Sequence, residues 1–75
     1  MTYKVGRCRL RQLLAQKKMT QRMLAQRLNI TPQQLQHYVQ NHHIMSIQTA
    51  KNISIILECS IEDLYEWHFD DDGTE

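Results

Sequence analysis

Four short sites divide this chain into segments. Each has an apolar residue, then Ser or Thr, then an apolar or small residue four positions on: Met19-Thr20 with Leu24, Ile30-Thr31 with Leu35, Met45-Ser46 with Ala50, and Cys59-Ser60 with Leu64. The first N–H groups of a helix have no partner within it, and a Ser or Thr hydroxyl satisfies one of them. The flanking apolar pair packs across that cap as a hydrophobic staple. The hydroxyl residues at 20, 31, 46 and 60 are 11, 15 and 14 positions apart. Repetition at helix-length spacing predicts five helices, over about 5–18, 20–28, 31–40, 46–58 and 60–69. Leu10, Leu13 and Leu14 form the inner stripe of the first.

The chain has 75 residues, with two Gly, one Pro and 41% hydrophobic residues. That length supports one small domain, and the low Gly and Pro content favours helices over sheet. The expected fold is all-α, a compact five-helix bundle over residues 1–69, with an acidic disordered tail at 70–75. Asn29 and Ile30 leave only a tight link between the second and third helices. Two short helices so joined cross steeply, as in a helix-turn-helix.

The formal net charge of +1 conceals a division. All nine Lys and Arg lie in residues 1–57, and all eight Asp and Glu lie in residues 58–75. A basic body suggests a polyanion partner. The acidic end has two readings. It attracts the basic body within the fold, or it screens weak binding to nucleic acid.

The third helix carries the chemistry. Pro32 suits a first turn, where its missing N–H costs nothing. At about 100° per residue, Leu35, Tyr38 and Val39 share one side, while Gln33, Gln36, His37 and Gln40 share the other. The outer face thus holds amides and an imidazole, and no acid. Glutamine can pair with adenine in the major groove, whereas a carboxylate would be repelled by phosphate. Gln33 and His37 rank first as base contacts, followed by Gln34 and Gln36. Thr31 and Gln34 fit a capping box, so Gln34 is either a cap or a base contact. Gln21 and Arg22 at the start of the second helix, and Gln40, Asn41, His42 and His43 after the third, are candidates for the phosphate backbone.

At these positions the chain resembles the phage repressor and Cro class of helix-turn-helix domains, also called Xre-type. The resemblance runs over residues 10–65. It rests on Leu10, Leu13, Met19-Thr20-Gln21, Leu24-Ala25, Leu28, Ile30, Leu35, Tyr38, Ser46-Ile47, Leu57 and Asp63-Leu64-Tyr65. It implies that Gln21 contacts phosphate, that positions 32, 33 and 37 face bases, and that the loop after the third helix holds phosphates. The family usually carries Glu where Val39 stands and Gly where Asn41 stands. Pro32 cannot make a side-chain base contact.

The expected function is a sequence-specific DNA-binding regulator of transcription, a repressor of phage or mobile-element origin, acting in the cytoplasm on double-stranded DNA. The rival is a protein-interaction module of the same fold that binds another regulator and does not bind DNA itself. Ile55, Trp67 and Phe69 are the candidate patch for that partner or for a homodimer. No metal, cofactor or catalytic group is expected. The spacing of His37, His42 and His43 fits no closed zinc site, and no nucleophile–base pair or Gly-rich phosphate loop occurs. Cys8 and Cys59 read as reduced thiols.

Overall fold

The computed structural model describes residues 2–70. Strand β1 (Thr2–Cys8) is followed by helices α1 (Leu10–Lys17), α2 (Gln21–Leu28), α3 (Pro32–Val39) and α4 (Ile47–Leu57). One 3-10 turn (Ile61–Leu64) then leads into strand β2 (Tyr65–Asp70).

Three of the four expected caps open α-helices. The hydroxyls of Thr20, Thr31 and Ser46 accept the N–H groups of Met23, Gln34 and Thr49, each at 3.1 Å. The helices stop where the backbone turns left-handed, at Lys18, Asn29, Asn41 and Glu58, with φ of 55°, 61°, 65° and 56°. Asn adopts this conformation more readily than most residues. Leu10, Leu24, Leu35, Ile53 and Leu64 have no exposed surface and bring all four helices and the 3-10 turn to one core.

The two ends depart from expectation. The all-α five-helix bundle is overturned by an antiparallel two-stranded ribbon of β1 and β2. Residues 2–8 do not extend the first helix, and Ser60 opens only a single 3-10 turn before the chain straightens. The physical reason is visible in Tyr65-Glu66-Trp67-His68-Phe69-Asp70, where aromatic and polar residues alternate strictly. A period of two suits a pleated strand, and aromatic side chains pack well there. Asp70 closes β2, and residues 71–75 of the expected tail lie outside the described residues.

Tyr3 pairs with Phe69, Lys4 with His68 and Val5 with Trp67; after a bulge, Cys8 pairs with Tyr65. The aromatic residues and Val5 therefore share one face, with Lys4, Glu66 and His68 on the other. Gly6 lies on this second face, where a Cβ would collide with the His68 imidazole. Arg9 fixes the ribbon to the 3-10 turn: its N–H donates to the Leu64 carbonyl at 2.8 Å, and its guanidinium to the Asp63 carbonyl at 3.3 Å.

The 3-10 turn carries a pH dependence. The N–H and hydroxyl of Ser60 donate to Asp63 Oδ2 at 3.1 and 3.0 Å. These bonds hold the Asp63 carboxyl below its ordinary value of 3.8. A lowered folded-state value means stability that is complete above the ordinary value and lost as pH falls through the lowered one. Thermal melts of wild type and Asp63→Ala should therefore differ at neutral pH, and the difference should shrink as pH falls below the ordinary carboxylate value. A difference that persists unchanged in acid would contradict this account.

Candidate nucleic-acid interface

The link between α2 and α3 is Asn29-Ile30-Thr31. Asn29 N–H donates to the Gln26 carbonyl at 3.2 Å and Ile30 N–H to that of Ala25 at 3.1 Å. These bonds satisfy the last carbonyls of α2 and reverse the chain. Thr31 at once caps α3. Ala25 is fully buried, and its small side chain leaves room for the neighbouring helix.

Helix α3 turns Leu35 and Val39 into the core and leaves Gln33, Gln34 and Gln40 exposed; Gln36 and His37 are half-buried at its flanks. The Thr31–Gln34 cap is one-sided. Gln34 N–H bonds the Thr31 hydroxyl, and among the described residues the Gln34 side chain makes no return bond. Its amide is therefore not consumed by the cap. Val39, which stands where the resembled family has Glu, is 7% exposed and belongs to the core. The apolar residue packs into the core where the acid is missing, so nothing there is left as a buried charge without a partner.

His37 is brought together with the loop that follows α3. Its ring lies 5.7 Å from that of His42 and 5.5 Å from that of His43. Asn41 is placed differently from a simple loop residue. Its Oδ1 accepts the Cys8 N–H at 2.7 Å, tying the end of α3 to β1. Only the amide nitrogen is left to face an anion. Gln21 and Arg22 open α2, with Gln21 half-buried and Arg22 exposed. No acidic residue occupies the first turn of α2 or α3. The positive ends of both helix dipoles are thus not neutralised from within.

Residues 9–70 match the family model of the Cro/C1-type HTH DNA-binding domain. The chain belongs to this family. A similar protein of Bacillus subtilis (strain 168), an SPbeta prophage-derived uncharacterized HTH-type transcriptional regulator named YopS, is 39% identical over 64 residues. The match covers 84% of this chain and 86% of that protein. The Cro/C1-type segment thus includes α1 to α4, the 3-10 turn and β2, and β1 precedes it.

The candidate partner patch is divided. Trp67 and Phe69 stand exposed on the ribbon, where Phe69 meets Tyr3 edge-on at 5.2 Å. Trp67 also donates its indole N–H to the Glu62 carbonyl at 2.9 Å. Ile55 instead lines a groove with Arg27, Leu28, Asn52 and Ile56. Tyr3 was not singled out from sequence, since its neighbours on the ribbon come from the opposite end of the chain. Arg7 and Arg11 likewise stand outside the sequence-derived candidates. They line a cleft with Gln40 and Asn41, a placement that depends on residues 2–8 being a strand. The available signal was four cations, Lys4, Arg7, Arg9 and Arg11, within eight residues lacking any acid.

Among the described residues, no three His, Cys, Asp or Glu side chains converge as a metal-binding group. No helix there is long and apolar enough to cross a membrane.

Proposed function

We propose that this chain is a sequence-specific regulator of transcription that binds double-stranded DNA in the cytoplasm and acts as a repressor. The observation carrying this reading is the exposed, acid-free face of α3, set on a short capped turn after α2. Gln33 and His37, with Gln34 and Gln36 beside them, reach base edges in the major groove. The opening of α2 at Gln21 and Arg22 holds one phosphate segment, and Gln40, Asn41, His42 and His43 hold another. The likeness to a protein named as prophage-derived supports a phage or mobile-element origin.

The test is a mobility-shift titration on AT-containing duplexes at several salt concentrations. Arg22→Ala should weaken binding to all sequences and lower the salt slope by about 1, the signature of one lost phosphate contact. Gln33→Ala should instead remove about 1–3 kcal/mol of discrimination at one base pair. The absence of any shift at low salt would sink the reading.

The exposed Tyr3–Phe69 pair and Trp67 favour a second reading, in which the ribbon joins a homodimer or another regulatory protein. A dimer on DNA would read half-sites about 34 Å apart. Sedimentation of wild type against Trp67→Ala distinguishes the readings: a monomer in both cases removes the homodimer.

A further inference from the structure

The geometry points to the base of the β-ribbon as a second anchor for the DNA backbone, with Arg7 and Arg11 holding a phosphate beyond those engaged by the helix-turn-helix. The inference rests on the DNA-binding reading above and adds to it a site outside α2 and α3.

The site is a cleft of about 640 Å³ beside the end of α3, lined by Arg7, Arg11, Gln12, Gln40, Asn41 and Glu66 among others. Arg7 and Arg11 are exposed and bring two guanidinium groups to one opening. Guanidinium matches phosphate in shape and donates to two of its oxygens at once. Gln12 adds a neutral donor, and Gln40 and Asn41 join this cleft to the phosphate segment assigned to the loop after α3. One carboxylate opposes this set, that of Glu66, whose Oε1 lies 3.8 Å from His68 Nε2. Two cations against one anion leave the cleft positive.

Its position makes the anchor productive. Gln40 and Asn41 directly follow α3, and the Cys8 N–H bond to Asn41 Oδ1 fixes the ribbon base against that same turn. A base-reading α3 brings the backbone of the groove past its end. The strand bulge between Val5 and Cys8 leaves Arg7 outside the regular pairing of the ribbon. A bulge re-aims the side chains around it.

Fluorescence anisotropy decides the matter, using the duplex that wild type shifts best, over about 50–200 mM salt, a range across which phosphate contacts show clearly. Arg7→Gln and Arg11→Gln should each lose about tenfold in affinity on every sequence and about 1 in salt slope, without changing base preference. Arg7→Lys should recover most of the slope. Glu66→Gln should bind more tightly than wild type. Arg27→Gln, in the separate groove beside Ile55, removes the same charge and should leave the slope unchanged. Circular dichroism melts confirm that each variant is folded. Wild-type slopes in both Arg7→Gln and Arg11→Gln would overturn this anchor alone, as would an equal loss in Arg27→Gln. No wild-type binding at the lowest salt would overturn the DNA-binding reading along with it.

Discussion

Leu35→Ala is expected to cost about 2–5 kcal/mol, a large share of the stability that holds the α2–α3 unit in place. Leu35 has no exposed surface and sits at the centre of the inner stripe of α3. Its removal costs the transfer of its own methyl groups and leaves a cavity that the surrounding helices fill only in part. A domain of 75 residues has roughly 4–11 kcal/mol of stability in total. The substitution therefore consumes much of that margin. Urea unfolding checks it: the midpoint should fall with little change in slope. Leu35→Met keeps the volume and should cost less than about 1.5 kcal/mol. A loss below about 1 kcal/mol for Leu35→Ala would mean that the site collapses freely, against close packing there.

Tyr65 is the second sensitive position. It is 7% exposed, and its hydroxyl oxygen accepts the Met45 N–H at 3.1 Å. One residue thus begins β2, fills the core and satisfies a buried donor at the approach to α4. Tyr65→Phe keeps the ring and leaves that donor without a partner, for about 1–3 kcal/mol. Tyr65→Ala also removes the ring, for about 3–5 kcal/mol. Burial pushes the phenol above its ordinary value of 10.0. The folded state therefore favours the protonated form; this contribution is complete below that value and lost as pH rises through the raised one. Tyr65→Phe should be less sensitive to alkali than wild type. Equal stability of wild type and Tyr65→Phe at neutral pH would remove the Met45 bond from the account.

What the sequence disclosed was local. Thr20, Thr31 and Ser46 each cap an N–H three residues away, so the helices they open are written in adjacent letters. The stop at Asn29 is equally local, because an amide side chain tolerates the left-handed turn. The ribbon is different. Val5 meets Trp67 and Tyr3 meets Phe69 across nearly the whole chain, and no short window contains both partners. Only the alternation in 65–70 marked a strand, and Ser60 with its staple residue Leu64 masked it with a genuine cap. The candidate site divides along the same line. Gln33 and His37 follow from helical period alone. Arg7, Arg11 and the tie from Cys8 to Asn41 depend on a pairing that only the folded chain reveals.

That pairing has a kinetic consequence. Thr2 lies opposite Asp70 and Cys8 opposite Tyr65, so the ribbon closes a loop that contains every helix. Closing so long a loop costs entropy before any contact across it repays the cost. The helices, held by near neighbours, should acquire amide protection first and the two strands last. Pulse-labelled hydrogen exchange during refolding would show that order. The strands then act as a latch fastened after the rest is assembled, and the turn that carries Asn41 becomes rigid only when the latch is shut.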